Sequence, residues 1–251
     1  MKPYHLILDF THVYDDEFCA DREQFSWIDC SDIEGSDLYC SPQAEREICR
    51  RIEPYGVHGI HFVDSGNYHY VTKIFTDQIH RPFSLIVFDH HTDMQQPLME
   101  GMMSCGDWAG MVLDQNPALQ QFILIGPAED DIKQIRTKHL DKLITFSAEE
   151  IRKGEGVERL KRIHGVPLYI SIDKDVLSEQ YSETNWNQGE LTLGMLEHML
   201  QYFLERAPVY GIDICGECST AIALPEYFQA EGVNGKTNVE LFRFLRSYCC
   251  S

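Results

Sequence analysis

The sequence is short of positive charge and has no long apolar run. Lysine and arginine number 21 against 40 aspartates and glutamates, so the formal net charge is −19. Nucleic acids and anionic membranes bind basic surfaces, and we therefore expect neither as a partner. No run approaches the roughly 18 apolar residues that a membrane helix needs, and no segment of signal-peptide shape follows Met1. We expect a soluble, cytoplasmic protein.

The sequence also lacks a disulfide framework and internal repeats. Nine cysteines, an odd number at irregular spacings, are typical of reduced thiols. Cys215 and Cys218 have the C-x-x-C spacing, but no second pair follows at zinc-ribbon spacing and the context of a reactive thioredoxin motif is lacking. We therefore expect neither a structural-zinc nor a redox role for this pair. A length of 251 residues suits one α/β domain, and residues 1–251 are predicted to form it.

What the sequence does contain is a group of acidic and histidine residues that follow apolar segments. The apolar run 84–88 predicts a buried parallel strand, and Asp89, His91 and Asp93 come directly after it. In an extended backbone these alternate residues project to one side, whereas His90 points to the other. Carboxylate and imidazole groups together suit Mn²⁺, Fe²⁺ or Zn²⁺.

Two further apolar segments are followed by the same residue types. The run 166–172 leads to Asp173 and Asp175, and the run 61–64 precedes His69. Parallel strands end at one edge of a sheet, where open α/β sheets place their sites, so these side chains should converge. Burying them without a partner would be costly, which favours a bound cation. The predicted metal ligands are His69, Asp89, His91, Asp93, Asp173 and Asp175.

Six ligands are too many for one ordinary cation, and we therefore expect two. Asp89 and Asp173 would bridge cations about 3.5–4 Å apart that share a hydroxide, the arrangement used in two-metal hydrolysis. Asp93, besides binding a cation, would accept a hydrogen bond from that hydroxide and later pass the proton to the leaving group. A dinuclear hydrolytic centre is the prediction.

The remaining pattern alternates strands with helices, which predicts a mostly parallel sheet covered on both faces, a three-layer α/β/α fold. The segment 11–40 is expected to be an acidic loop. Other strands are expected at 4–10, 57–64, 121–126, 142–146 and 209–214. Helices are expected at 44–52, 67–79, 130–138, 155–163, 192–204 and 238–248, with another ending near 113.

At this point the motifs resemble those of a known family. Asp89-His90-His91-Thr92-Asp93 resembles the D-x-H-x-D signature of the arginase or ureohydrolase family, and Ser171-Ile172-Asp173-Lys174-Asp175 resembles its S-x-D-x-D signature. Ser65-Gly66-Asn67-Tyr68-His69 stands in place of the family's glycine-rich motif, with G-N-Y-H where G-G-D-H is expected. Their order and spacing agree over roughly residues 55–220.

The resemblance implies an arginase-like fold, two Mn²⁺ ions and hydrolysis of a linear guanidine or amidine C–N bond in a small cationic substrate. It also implies a guanidinium-binding carboxylate after the last core strand. Glu217 is the nearest match, although Gly216 shifts it by one position, and a solvated loop glutamate is the plain alternative. This would give Glu217 a substrate-binding and catalytic role.

The loop after Asp93 departs from the arginases. It lacks their proton-shuttling histidine. It also lacks recognisable residues that would bind the amino-acid end of arginine, so arginine is a poor substrate candidate. Asp107 and Trp108 are the candidates to shape a different pocket, by charge and by stacking on a planar cation. A core role for Trp108 is equally open.

Two alternatives remain. One is a mononuclear zinc amide hydrolase of the arginase-fold deacetylase type, with ligands at Asp89, His91 and Asp173. The other is a non-catalytic arginase-fold protein. Zn²⁺ or Fe²⁺ could replace Mn²⁺, and the sequence leaves the substrate and a homo-oligomeric state open.

Overall fold

The computed structural model describes residues 4–14, 23–99, 101–163, 165–218 and 224–249. The strands of the central sheet are β1 (His5–Asp9), β2 (Phe25–Asp29), β4 (Ile60–Val63), β5 (Phe83–Phe88), β7 (Leu119–Ile125), β8 (Leu143–Phe146), β9 (Leu168–Asp173) and β10 (Val209–Cys215). They are all parallel, in the order β2-β1-β4-β10-β9-β5-β7-β8. Two short strands, β3 (Tyr39–Cys40) and β6 (Met103–Ser104), form a separate antiparallel pair.

Helices cover both faces of the sheet. They are α1 (Pro42–Ile52), α2 (Val71–Thr76), α3 (Trp108–Gln115), α4 (Glu129–Ile132), α5 (Ala148–Lys153), α6 (Leu193–Leu204) and α7 (Leu224–Cys249). Alternate strand residues enter two separate apolar clusters: Leu6 and Leu8 pack with α1, α2 and α3, whereas Ile7 packs with α6 and α7. The three-layer prediction is confirmed. Within the described residues, none of the helices is both long and apolar enough to cross a bilayer.

Several element boundaries differ from the sequence prediction. The segment expected to be a loop up to residue 40 contains the edge strand β2, whose burial is only partial and whose pattern is correspondingly weak; residues 15–22 lie outside the described chain. Helix α7 begins at 224 rather than 238.

The helix expected at 155–163 is also different. The α-helix in this part of the chain is α5 (Ala148–Lys153), which ends before residue 155. It starts at a capping box formed by Ser147 and Glu150. Gly154 ends it with a φ of 69°, and Gly156 has a φ of 76°. These left-handed glycines prevent one continuous helix, and residues Val157–Arg162 form a 3₁₀ segment instead.

Candidate metal centre

The predicted ligands follow strands that lie side by side in the middle of the sheet. The strands β4, β10, β9 and β5 are consecutive neighbours, and their carboxyl ends share one edge. Register places Cys215 of β10 opposite Asp173 of β9 and Phe88 of β5 opposite Ile172. The loops that leave these ends bring all six predicted ligands to one region.

One set of side chains surrounds His69, which is buried. Its Nδ1 lies 3.0 Å from Asp93 Oδ2, 3.3 Å from Asp89 Oδ2 and 3.5 Å from Asp173 Oδ2. Neither His69 Nδ1 nor Asp89 Oδ2 has a hydrogen-bond partner, although both atoms are fully buried. Buried polar atoms without partners are rare and need an explanation, which a cation between them supplies. We call this set the inner position.

A second set, the outer position, consists of Asp89, His91 and Asp175. His91 Nδ1 lies 2.8 Å from Asp175 Oδ2 and 3.6 Å from Asp89 Oδ1. The His91 side chain is 33% exposed, so this position is more exposed to solvent than the set around His69. Asp89 therefore belongs to both positions, with Oδ2 towards the inner one and Oδ1 towards the outer one.

The local backbone brings the ligands together by turning, not by strand alternation. The D-x-H-x-D segment leaves the strand conformation at Asp89, whose Oδ1 accepts a hydrogen bond from the His91 amide at 2.6 Å. Asp93 has a φ of 49°, in the left-handed region. The predicted convergence of these residues is found, but the extended backbone from which it was argued is not.

The second acidic motif turns in the same way. Asp173 Oδ1 accepts from the Asp175 amide at 3.0 Å and opens a 3₁₀ turn, Lys174–Val176. Asp175 Oδ1 in turn accepts from the His90 amide at 2.9 Å. The two ligand loops are thus tied to each other, and the second oxygen of each aspartate faces other candidate ligands: Asp173 Oδ2 faces His69 and Cys215, and Asp175 Oδ2 faces His91.

The sequence predicted a helix spanning 67–79 with His69 in its first turn. The structure differs. His69 follows a 3₁₀ turn, Gly66–Tyr68, and precedes α2. A Cβ on Gly66 would come within 3.0 Å of Asp173 Oδ2, which explains why this turn, packed against a ligand, has glycine at that position.

The second ring nitrogen of His69 is held by a buried chain of polar groups. His69 Nε2 is 2.9 Å from Ser171 Oγ, and Ser171 Oγ donates to Asp213 Oδ1 at 2.6 Å. Thr72 also donates to this carboxylate. Asp213 is thus a buried acceptor that braces this chain of groups. Because Ser171 Oγ can accept from an Nε2–H group, this arrangement suits the His69 tautomer whose Nδ1 is available to a cation at the inner position.

The pKa shifts within the cluster indicate that a bound positive charge would stabilise it. Burial raises the pKa of Asp173, and neighbouring Asp175 raises it further; burial and the charge of Asp89 do the same to the pKa of Asp175. Burial lowers the pKa of His91, but hydrogen bonds to Asp175 and Asp89 outweigh it and raise the value to about 11. Two divalent cations would balance the four carboxylates, and the oxygen and nitrogen donors suit Mn²⁺, Fe²⁺ or Zn²⁺. The residues therefore fit a cation pair.

A cavity of ≈ 250 Å³ opens over the carboxylates. Its walls include the aspartates 89, 93, 173 and 175, His91, Tyr39, Gln95, Gln96, Cys105, Asp107 and Trp186. Trp186, which the sequence analysis missed, is 39% exposed. Its ring centroid lies 5.9 Å from that of His91, and its Nε1 donates to Asn67 at 3.0 Å. The signal available in the sequence was a tryptophan within the long connection between β9 and α6.

The two residues proposed to shape the pocket are placed differently. Asp107 lines the cavity, and its Oδ1 accepts from the Ser104 amide at 2.8 Å. Trp108 is fully buried and is not part of the wall; its Nε1 donates to Asp93 Oδ2 at 2.7 Å, and its ring packs 4.7 Å from that of His69. The prediction that Trp108 stacks on a substrate is therefore not supported. The side chain instead contacts the predicted ligands Asp93 and His69 and does not line the cavity.

Glu217 is not brought to the cavity wall either. Its carboxylate is buried, and Lys174 Nζ and Asn238 Nδ2 both donate to its Oε1, the latter at 2.7 Å. The position before it is Gly216, with a φ of 95°, where a Cβ would lie 2.6 Å from Asp173 Oδ1. The one-residue shift seen in the sequence thus leaves position 216, next to Asp173 Oδ1, without a side chain and directs the glutamate to Lys174.

Comparison with known proteins agrees with this fold and these motifs. A sequence model of the arginase family matches residues 12–219. The chain belongs to the arginase family. An uncharacterised protein of Thermotoga maritima is 29% identical over 226 residues, which is 86% of this chain and 81% of that protein.

Solved structures of arginase-fold proteins cover nearly the whole chain. Formimidoylglutamase from Bacillus subtilis subsp. subtilis str. 168 has a TM-score of 0.68 at 15% identity, covering 99% of this chain and 88% of its own. Trypanosoma cruzi formiminoglutamase, determined with Mn²⁺, has a TM-score of 0.65 at 14% identity, with 98% and 94% covered. Agmatine ureohydrolase of Thermoplasma volcanium scores 0.63 at 14% identity, with 99% and 89% covered. These similarities show the fold, and the predicted arginase-like architecture is confirmed.

Proposed function

We propose that this arginase-family protein is a hydrolase that uses a pair of divalent cations, Mn²⁺ in the first instance, to cleave a linear guanidine or amidine C–N bond. The observation that carries the proposal is Asp89, which presents one oxygen to each of two adjacent ligand sets. Two similar proteins are named formimidoylglutamase and agmatine ureohydrolase, and another was determined with Mn²⁺. These names support the bond type and the metal.

The chemistry divides between the cations and the chain. When bound, such a pair lowers the pKa of a shared water towards neutrality and polarises the electrophilic carbon. Asp93 is placed to accept and return a proton, because its carboxylate lines the cavity while Trp108 fixes one of its oxygens. His91, Asp89 and Asp175 form the cavity side of the cluster and hold the outer position.

The walls of the cavity favour a substrate without a carboxylate. None of the described residues that line it is lysine or arginine, so a substrate carboxylate would find no cationic partner there. Asp107 and the ligand aspartates favour a positively charged group, and the partly exposed Trp186 offers a face on which a planar cation can stack. Arginine, with its α-carboxylate, fits this wall poorly.

Metal analysis combined with a substrate panel tests the proposal. Chelator-treated protein reloaded with Mn²⁺ should bind two manganese ions per chain, and release of urea or amine from guanidino and amidino compounds should require them. His91→Ala should lower the rate by at least about 100-fold, more than the loss of an outer hydrogen-bond partner typically does. Asp141→Asn, which changes an exposed carboxylate before β8, is the matched control.

Two results would contradict the proposal. One zinc ion per chain, with no second cation bound, would favour the mononuclear amide hydrolase. Inactivity of the manganese-loaded protein across the whole panel would favour a non-catalytic role.

A further inference from the structure

A seventh candidate ligand lies beside the predicted six. Cys215 is the last residue of β10, directly opposite Asp173 in the sheet, and it is buried. Its Sγ lies 3.2 Å from Asp173 Oδ2. Donor atoms of His69, Asp173 and Cys215 all lie within 4.8 Å of one another, as a third ligand set that overlaps the inner position.

The neighbouring His69 supports a bound cation between Cys215 and Asp173. His69 Nδ1 is fully buried, has no hydrogen-bond partner and lies 3.5 Å from the same Asp173 oxygen. Zinc bonds of about 2.0–2.3 Å to nitrogen, oxygen and sulfur would set neighbouring donors roughly 3.3–3.8 Å apart in a tetrahedral arrangement. The observed separations of 3.2 and 3.5 Å come close to this range without a rearrangement of the strands.

We propose that Cys215 is a thiolate ligand of the inner cation. On binding a divalent cation, the thiol proton passes to solvent and a sulfur–metal bond forms. The inner position would then have nitrogen, oxygen and sulfur donors and prefer Zn²⁺, Co²⁺ or Fe²⁺, whereas the outer position, with oxygen and nitrogen alone, would retain a preference for Mn²⁺. The inference rests on the proposed cation pair and is independent of the substrate.

The competing explanation is that Cys215 is a small buried residue whose thiol donates a hydrogen bond to Asp173 and never meets a metal. The two explanations differ in what a spectroscopically active cation reports. A thiolate bound to Co²⁺ produces a near-ultraviolet charge-transfer absorption, which nitrogen and oxygen ligands do not produce.

Titration of the chelator-treated full-length protein with Co²⁺ tests the proposal. The charge-transfer band should appear in the unaltered protein and in Cys105→Ser, in which the cavity-lining cysteine is removed, and should disappear in Cys215→Ser while visible Co²⁺ absorption remains. Cys215→Ser should also lower the preference for Zn²⁺ over Mn²⁺ by at least tenfold. Co²⁺ binding without the band, or a band that survives in Cys215→Ser or vanishes in Cys105→Ser, overturns the assignment.

X-ray absorption at the cobalt edge of the unaltered protein keeps the proposal testable if Cys215→Ser does not fold. A sulfur neighbour at about 2.3 Å is expected, and a shell of nitrogen and oxygen alone overturns the thiolate. Failure to bind Co²⁺ at all would overturn the cation pair itself, and with it the proposed function, so the two failures are distinguishable.

Discussion

Asp89 carries more of the site than any other single residue. Its two oxygens face different ligand sets, so replacing it should affect both of the proposed cations. We expect Asp89→Asn to contain less than one metal ion per chain after gel filtration, because an amide supplies neither the charge nor the second anionic oxygen. His91→Ala should retain one, since His91 belongs to the outer position alone. Elemental analysis checks both, and two ions in Asp89→Asn would disprove the shared carboxylate.

A second residue-scale prediction concerns His61, which is buried in β4, stacks on Phe75 and is 3.1 Å from the Val57 carbonyl through Nε2. Burial lowers the pKa of His61 to about 3. The unfolded chain takes up a proton below pH 6.5 that the folded protein excludes until pH 3. The stability that His61 contributes is therefore present above pH 6.5 and is lost as the pH falls through this window.

The size of this effect follows from the window. Between pH 7 and pH 5, His61 should account for a loss of about 2 kcal/mol in the free energy of unfolding. Urea unfolding at the two pH values should show His61→Gln to be less acid-sensitive than the unaltered protein by that amount. Identical pH dependence in both proteins would mean that His61 titrates normally.

A site residue could be predicted when its local sequence spacing brings it to the site. It could not be predicted when the tertiary packing of strands and loops does so. The two aspartate motifs were found because their spacing after apolar runs is local information. Trp186 and Cys215 were missed because each reaches the site only through the order of the strands and the path of a loop. Glu217 was the nearest match to the family's carboxylate but stands one position later, and Gly216 and the buried Lys174 decide its direction.

At the scale of elements, a buried polar contact joins the ends of β9 and β10 to helix α7. Lys174 is fully buried, and its Nζ donates to Glu217 Oε1 and, at 2.9 Å, to Asn238 Oδ1. Lys174→Met leaves the glutamate buried without its cation and should lower the free energy of unfolding by about 3–5 kcal/mol. Chemical unfolding measures this loss.

The matched partner variant separates an unpaired charge from lost packing. Lys174→Met combined with Glu217→Gln should be less destabilised than Lys174→Met alone, because a neutral amide can still accept from Asn238 without being buried as a charge. A double variant that is less stable by the sum of both single losses would show that the two side chains are not coupled.

Elements themselves were predictable in proportion to their burial. Strands β5 and β9 were located to within two residues, because both are largely apolar, buried throughout and covered on both faces. The edge strand β2 was missed, since its half-buried residues leave no continuous apolar run. Helix α2 was expected too early because the 3₁₀ turn before it, which places His69, has no helical period to recognise.

At the scale of the whole molecule, the order of the strands in the sheet brings the site residues together. Sequence alone indicated parallel strands with ligands at their ends, but it could not give the order that makes β4, β10, β9 and β5 neighbours. That order gathers residues from positions 69 to 215 at one point, so a cation bound there ties distant segments together. Metal binding should therefore stabilise the entire fold and not only the loops that carry the ligands.

Thermal unfolding with and without Mn²⁺ tests this consequence. A ligand that binds only the folded state at about 100 times its Kd adds about 2.7 kcal/mol per site, and for a chain of this size each kcal/mol raises Tm by roughly 2–4 °C. We expect Mn²⁺ to raise Tm by about 5–10 °C for each occupied position. Because the net charge is −19, salt alone will also stabilise the protein by screening repulsion. The comparison therefore uses KCl of equal ionic strength and Asp89→Asn, and an equal rise in either control would mean that Mn²⁺ acts by screening and not by binding at the site.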